Sequence, residues 1–218
     1  MKKRLVIAIS LLILLTTINS QQIFVISKFN LKTIVIKNNF LLKDEEIKNL
    51  LIPFYNKNLL FLDNNKIKKA LMQNSFIESF NIKKIYPNTL IIRIFEKKPI
   101  AVLFNKKNKY YLSERIDLIE FKNLPNYQAL PYILGNKDDF KIFYNNLKKI
   151  NFPVDIIEKY TFYETNRWDL KTKNNQVIKL PSKKYTKSLE NFLNLKSKND
   201  FEKYRLFDYR ISNQLILK

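Results

Sequence analysis

Cysteine and histidine are both absent from this 218-residue sequence, and glycine occurs once. Without Cys or His the chain has no thiol nucleophile, no serine–histidine triad, no histidine acid–base catalyst and no zinc site built from those ligands. The single glycine excludes a glycine-rich phosphate-binding loop. No disulfide can form, so an exported domain would have to be held together by its core alone. Any catalysis would have to use carboxylate, Lys or Tyr side chains. We predict no catalytic residue, no metal site and no cofactor.

Lysine and arginine total 40 against 19 acidic residues, which gives a formal net charge of +21. A charge of this size is typical of proteins that bind nucleic acid or an anionic surface. The basic residues are mostly lysines scattered through every segment, however, with no arginine-rich arm and no aromatic RNA-binding signature. We interpret the charge as compositional drift. A specific polyanion site and weak attraction to anionic lipid or cell-wall polymer are the alternatives, and we expect no specific nucleic-acid partner and no small-molecule substrate.

A basic start and a long uncharged stretch make up the N-terminus. Lys2, Lys3 and Arg4 precede 14 uncharged residues, which as a helix reach only ~21 Å across a hydrocarbon core of ~30 Å. Extending the stretch to residue 26 gives 22 uncharged residues and ~33 Å. A cleaved signal peptide and a retained anchor both fit this pattern, although a cut after Ser20 would place Ile18 where a small residue is preferred.

The three basic residues at the start set the orientation of the chain. Lys2, Lys3 and Arg4 hold the N-terminus on the cytoplasmic side in either case, and the remainder of the chain is exported. No second apolar stretch of adequate length follows. We predict a cytoplasmic tail at residues 1–4 and a single transmembrane anchor at residues 5–26.

The pattern of residues 27–99 predicts a small α+β domain with the order β-α-α-β-β. A β-branched apolar run at 31–36 favours a strand, and the acids at 44–46 favour a helix start. Asp63 is the expected N-cap of a second helix, and two strands follow around Tyr86-Pro87-Asn88. The apolar positions expected to face the core are Ile47, Leu50, Leu51, Phe54, Ile67, Ala70, Leu71, Phe80, Ile82, Leu90, Ile92 and Ile94.

Short motifs in this region are more specific than its periodicity. They are Ile36-Lys37-Asn38-Asn39, Asn58-Leu59-Leu60-Phe61-Leu62-Asp63, Tyr86-Pro87-Asn88-Thr89-Leu90 and Glu96-Lys97-Lys98-Pro99-Ile100-Ala101. Their succession resembles the POTRA domain of the FtsQ/DivIB family of bacterial cell-division proteins. The family often has glycine where this sequence has Asn39, so we expect Asn39 to adopt the left-handed αL conformation.

Residues 100–218 resemble the C-terminal β domain of the same family. The motifs that carry this resemblance are Tyr110-Tyr111-Leu112-Ser113 with Leu118-Ile119-Glu120, Leu130-Pro131-Tyr132-Ile133-Leu134-Gly135, Arg167-Trp168-Asp169-Leu170, Gln176-Val177-Ile178-Lys179-Leu180-Pro181 and Phe207-Asp208-Tyr209-Arg210. The first of them predicts a hairpin without a turn glycine, and residues 214–218 predict a final strand. Two apolar stripes predict helices: Phe140, Phe143, Tyr144 and Leu147, then Leu189, Phe192, Leu193 and Leu195.

The resemblance implies an α+β chain in three parts. These are one transmembrane helix in the cell inner membrane, a POTRA domain at 27–99 and a mostly antiparallel β domain with two helices at 100–218, both domains being periplasmic. The implied function is a non-catalytic scaffold of the divisome, which recruits small single-span partners with coiled-coil stems at the division septum. A POTRA-type chaperone or translocation component of the envelope is the alternative, but it would not explain the motifs at 167–170 and 207–210.

Partner binding is placed by the resemblance at the edge of the C-terminal β domain. An exposed strand edge offers unpaired N–H and C=O groups to an incoming strand, and a covered or merely solvated edge is the alternative. Motif matching carries this role to Arg210, Ile211, Ser212, Asn213 and Gln214 on the edge strand, with Arg167 on a neighbouring strand. We predict that Asn213→Pro abolishes partner recruitment and leaves the domain folded.

Other conspicuous residues are assigned structural roles. Trp168, the only tryptophan, is expected in the core, and Asp208 with Arg210 is expected to form an ion pair. Glu96 and Lys97 are expected at the domain junction, where they would fix the angle between the domains. Two acidic pairs fit helix N-termini better than acid–base catalysis: Glu45-Glu46 and Asp138-Asp139.

Overall fold

A computed structural model of the chain describes residues 2–16, 27–105, 108–197, 201, 203–211 and 213–218. The chain divides into two compact units, Met1–Glu96 and Lys97–Lys218. Helix α1 covers Lys2–Thr16, and the remainder of the predicted anchor, residues 17–26, lies outside the described residues. Within the described ranges, no helix combines the length and the apolar character needed to cross a membrane.

The rest of the first unit has the predicted β-α-α-β-β order. Its elements are β1 (Thr33–Lys37), α2 (Asp44–Leu50), a 3-10 helix (Ile52–Phe54), α3 (Asn64–Leu71), β2 (Ile77–Ile85) and β3 (Thr89–Glu96). The strands form one sheet in the order β1-β3-β2, in which β1 is parallel and β2 antiparallel to β3. The central position of β3 explains its alternating apolar residues, since one face of a central strand is covered along its whole length.

The core of this unit lies between β3 and the two helices. Leu90, Ile92 and Ile94 of β3 are fully buried, as predicted. The helices contribute Ile47, Leu51, Ile67 and Leu71, which are also fully buried. The predicted N-cap Asp63 accepts a hydrogen bond from the Asn65 N–H at 2.8 Å, which fixes the start of α3.

The turn after β1 corrects one prediction by a single residue. Asn38, and not Asn39, adopts the left-handed conformation, with φ of 65°. The Asn38 side-chain amide donates to the Ile94 carbonyl at 2.9 Å, and that of Asn39 donates to the Leu42 carbonyl at 2.8 Å. The Asn38 amide therefore holds the loop against the sheet, and the Asn39 amide braces the loop internally.

Glu96, the last residue of β3, also binds this loop. Its carboxylate accepts the backbone N–H groups of residues 40–42 at 3.1, 2.8 and 2.9 Å. The next residue, Lys97, pairs with Asp117 at 3.7 Å in the second unit. Each side chain of the expected junction pair therefore binds within its own unit.

In its described residues, the second unit contains one nine-stranded sheet and two α-helices. Its elements are β4 (Pro99–Asn105), β5 (Asn108–Ser113), β6 (Leu118–Glu120), β7 (Tyr132–Leu134), α4 (Lys137–Lys149), β8 (Ile157–Tyr163), β9 (Arg167–Thr172), β10 (Val177–Lys179), α5 (Tyr185–Lys196), β11 (Leu206–Asp208) and β12 (Ile216–Leu217). The strand order is β12-β11-β10-β9-β8-β7-β4-β5-β6. Five of its eight strand pairs are antiparallel and three are parallel. β12 and β6 are the two edges.

Aromatic residues dominate the core of this unit. Trp168 of β9 is 5% exposed and stacks on Phe143 of α4 at 4.9 Å between ring centres, so its predicted core role is confirmed. The predicted apolar stripe of α4 is buried throughout, and Leu189 and Phe192 of α5 join the same cluster. Asn136 caps α4 by accepting the Asp139 N–H at 2.9 Å. The acids at 138–139 occupy the first turn, as expected.

The only glycine is required by a close approach of two strands. A Cβ atom on Gly135, which follows β7, would lie 2.8 Å from the Cβ of Phe162 on β8. The turns that need a positive φ use other residues. Among the described residues these are Asn38, Asn56, Ile116, Asn151, Asn166, Asn175, Lys184 and Asn213.

Candidate functional site

The predicted partner-binding residues of the C-terminal segment lie in a loop. Arg210, Ile211, Asn213 and Gln214 connect β11 to β12, and Ser212 is outside the described residues. For these four described residues, the prediction of an edge strand is therefore wrong. The reason is local: the Asp208 carboxylate accepts the Arg210 N–H at 3.0 Å, and the Gln214 N–H bonds the Ile211 carbonyl at 3.2 Å, which folds the segment into turns.

The conformation of Asn213 also corrects the substitution suggested from the sequence. Its φ is 60°, whereas a proline ring holds φ near −65°. Asn213→Pro would therefore rebuild the loop, and it cannot remove a single donor from an otherwise unchanged fold.

The edge strand nearest this loop is β12, which is only two residues long. Leu206 and Lys218 exchange two backbone hydrogen bonds, of 2.9 and 3.2 Å. Hydrogen-bonded and non-hydrogen-bonded pairs alternate along an antiparallel ladder. The next pair, Phe207 with Leu217, is thus a non-hydrogen-bonded pair, and the N–H and C=O of Leu217 point away from β11 toward the open side of the sheet.

Asp208 and Arg210 form a bidentate ion pair beside this edge. Arg210 donates from Nε to Oδ1 at 2.9 Å and from Nη2 to Oδ2 at 2.6 Å. The Asp208 side chain is 7% exposed and that of Arg210 is 41% exposed. The hydrogen bonds from Arg210 hold the pKa of the Asp208 carboxyl below its usual range. The predicted ion pair is confirmed, and the Arg210 side chain remains partly exposed.

Arg167 is the first residue of β9, which lies inside the sheet, with β10 and β11 between it and β12. The prediction that it neighbours the edge strand is therefore wrong. Its guanidinium carbon lies 4.5 Å from the centre of the Tyr163 ring. Its Nε is 4.0 Å from Oδ1 of Asp169, and neither of these two buried atoms makes a hydrogen bond.

Strand register brings these charged residues into one group. Lys179 of β10 pairs with Asp169 of β9 on one side and with Asp208 of β11 on the other. Burial raises the pKa of the Asp169 carboxyl, and Arg167, Lys179 and Arg210 oppose that rise. We call this group the arginine cluster: Arg167, Asp169, Lys179, Asp208 and Arg210. Three cations surround two carboxylates, so the cluster has an excess positive charge.

A groove of about 650 Å³ adjoins the arginine cluster. It lies between the start of α5 and the β11–β12 loop, and Arg210, Ile211, Asn213 and Gln214 all line it. Three exposed lysines, Lys183, Lys184 and Lys187, form the opposite wall. Among the described residues that line the groove, none is acidic. The groove is therefore suited to an anionic or hydrogen-bonding segment.

Sequence reasoning missed Asp169, Lys179 and the groove lysines. Asp169 and Lys179 lie in two of the quoted motifs, but their proximity follows from the register of β9 and β10, which those motifs do not specify. One signal was available in the sequence. Arg167 and Asp169 alternate with the core residues Trp168 and Leu170, which indicates that Arg167 and Asp169 share the face of the strand opposite the core. Within the described part of the chain, no group of three or more His, Cys, Asp or Glu side chains is arranged to hold a metal ion.

Comparison with known proteins identifies the first unit. Residues 29–97 match the family model of the POTRA domain of FtsQ type. The chain is thus a POTRA-domain protein with a second, sheet-rich unit.

Full-length relatives extend the match beyond this domain. The chain is 24% identical to the cell division protein FtsQ of Rickettsia conorii over 194 residues, which cover 87% of this chain and 72% of the relative. It is 23% identical to FtsQ of Rickettsia bellii over the same shares of both chains. A solved structure, the major extracytoplasmic domain of the division protein DivIB from Geobacillus stearothermophilus, covers 49% of this chain and 96% of that domain at 13% identity and a TM-score of 0.34. The POTRA match and the similarity to FtsQ proteins over 87% of the chain support the FtsQ/DivIB family of bacterial cell-division proteins and a role in division.

Proposed function

We propose that this protein is a non-catalytic, membrane-anchored scaffold of the divisome. Residues 5–26 anchor it in the cell inner membrane, Lys2, Lys3 and Arg4 stay in the cytoplasm, and both folded units lie in the periplasm at the septum. The scaffold recruits single-span division proteins with coiled-coil stems. One observation carries the recruiting role: the open edge of β12 lies beside a cationic groove and a partly exposed arginine.

Recruitment occurs by strand addition at β12. An incoming strand pairs with the outward N–H and C=O of Leu217, because those groups are not used in the ladder to β11. Two residues of edge supply few backbone bonds, each contributing about 1 kcal/mol net. Selectivity therefore has to come from side chains next to the edge.

The groove supplies that selectivity through charge. Arg210 is held in place by Asp208 while 41% of its side chain remains exposed, so it is oriented before a partner arrives. An acidic side chain of the incoming segment would meet Arg210 on one wall and Lys183 or Lys187 on the other. Such pairs favour the correct partner and its orientation more than they raise affinity.

The decisive variant is Leu217→Pro. Proline at this position deletes only an N–H that points away from β11, so the sheet is kept while strand addition is blocked. Leu217→Ala is the matched control, because it loses the same side chain and retains the N–H. We expect pull-down of the coiled-coil division partners to fail with Leu217→Pro and to persist with Leu217→Ala. Equal recovery by both variants would refute strand addition at β12.

Localisation tests the scaffold role itself against a POTRA-type chaperone or translocation component. A fluorescent fusion of a divisome scaffold gathers in a ring at mid-cell. Uniform envelope fluorescence in dividing cells would contradict the role proposed here, whatever the Leu217 variants show.

A further inference from the structure

One end of the N-terminal unit brings together three segments of the chain. The Leu31 N–H bonds the Lys57 carbonyl at 2.9 Å, and the Leu59 N–H bonds the Phe29 carbonyl at 2.8 Å. The Lys32 N–H bonds the Asn88 carbonyl at 2.9 Å, which adds the β2–β3 turn. We call this surface the proximal end. It comprises residues 27–33, 56–62 and 85–89.

Large apolar side chains are exposed across the proximal end. Phe61 is 82% exposed, Tyr86 53%, Leu60 45% and Ile85 36%. Phe29 packs edge-on against Tyr86, with ring centres 6.1 Å apart. Apolar side chains grouped in this way on a folded surface mark a site of interaction.

Lysines accompany these apolar groups. Lys28, Lys32 and Lys57 are exposed on the same three segments. Asp63 is the acidic residue that directly follows segment 56–62. Its carboxylate is engaged as the cap of α3, where it accepts the Asn65 N–H. Exposed aromatic and aliphatic residues beside lysines are the composition found where proteins meet a bilayer interface, the lysines being attracted to anionic headgroups.

We propose that the proximal end docks on a bilayer surface that contains anionic lipid. Phe61, Leu60 and Tyr86 enter the interfacial layer, and the lysines contact the headgroups. The connectivity of the chain favours lipid over a protein as the occupant. Residue 27 directly follows the proposed anchor, and the three residues 27–29 span at most ~11 Å, so an anchored chain holds this end close to the bilayer. The inference therefore rests on the proposed membrane anchor.

The absence of cysteine allows a site-specific test on the full chain. Single-cysteine variants Phe61→Cys and Phe40→Cys carry an environment-sensitive fluorophore. Phe40 is the matched control: it is 83% exposed but follows the opposite end of β1, beside Glu96. Both proteins are reconstituted into phosphatidylcholine vesicles with or without phosphatidylglycerol, and quenching by spin-labelled lipid is measured.

We expect lipid quenching at position 61 and little at position 40, with the difference decreasing when phosphatidylglycerol is omitted. Lys57→Gln should reduce the ratio of docked to undocked protein about fivefold, the contribution of one lysine near an anionic surface. A probe at 61 as accessible to a water-soluble quencher as the probe at 40 would overturn the proposal. Shielding of position 61 by added division proteins, but not by lipid, would overturn it as well.

Alkaline carbonate extraction of the same vesicles tests the anchor separately. Release of the protein by carbonate would refute the anchor. Quenching at 61 on anionic vesicles would then support docking as peripheral binding, whereas its absence would refute docking too. Retention without quenching at 61 would leave the anchor standing and reject the docking.

Discussion

Gly135→Ala adds one methyl group where two strands leave no room for it. The new Cβ would lie 2.8 Å from the Cβ of Phe162 and 3.5 Å from Cη2 of Trp168. Carbon atoms in van der Waals contact are ~3.5–4.0 Å apart, so the backbones of β7 and β8 must separate by roughly 1 Å. Phe162 cannot relieve the overlap by rotating its ring, because the contact is with its Cβ.

Overpacking of this kind costs about 1–3 kcal/mol, and the rigid contact places Gly135→Ala in the upper half of that range. The assay is urea unfolding of the full chain followed by the fluorescence of Trp168, which is the only tryptophan. Trp168 also touches the added methyl group, so the emission of the folded protein should change before any urea is added.

Lys137→Ala serves as the control, because it alters a partly exposed residue two positions away whose ion pair with Asp138 is long, at 3.9 Å. Its effect should stay within ~0.5 kcal/mol. An equally small effect of Gly135→Ala, with unchanged emission, would show that β7 and β8 yield without cost and that the close approach does not explain this glycine.

Two further predictions concern charged residues. Glu96→Ala removes the acceptor of three backbone N–H groups and should destabilise the N-terminal unit by about 3 kcal/mol. Hydrogen exchange at residues 40–42 measures this loss, and the control Glu45→Gln should cost less than ~1 kcal/mol. Unchanged protection of residues 40–42 in Glu96→Ala would contradict the role assigned to Glu96. The pKa of Asp208 is lowered in the folded state. The ionised Asp208 carboxylate therefore stabilises the folded protein fully above the usual carboxyl pKa, and this contribution is lost as the pH falls through the folded pKa. Arg210→Gln should therefore destabilise the protein at pH 7, and its difference from the parent should shrink in acid; a difference that is constant with pH would refute the linkage.

The elements with the clearest periodicity were predictable from the sequence. The buried stripe of α4 and the alternating residues of β3 appear where their spacing indicates, since burial of one face dictates both patterns. The N-cap Asp63 was equally predictable, because capping is a local interaction.

Features set by long-range register or by unusual backbone angles were not predictable. The hairpin between β5 and β6 uses Ile116 at φ 63°, a conformation that a β-branched residue rarely adopts. It is tolerated because the Ile116 side chain is 3% exposed, in the core of the second unit. The motif Phe207-Asp208-Tyr209-Arg210 identified the right segment of the chain. It did not indicate the turn made by Asp208 and Arg210, so the edge strand was predicted at residues 210–214 and lies instead at β12.

The asparagine turns bear on how far the composition of such a chain can shift. Six of the eight described residues with positive φ are asparagines. Each pays a steric cost that glycine avoids, but asparagine also has fewer backbone conformations to lose when the chain folds. The two effects oppose each other, so replacing glycine by asparagine at a turn changes the free energy of folding little. When composition drifts toward lysine and asparagine, nearly all turn glycines can therefore be replaced without loss of the fold. Glycine is kept only where a side chain would overlap a neighbouring strand, as at Gly135.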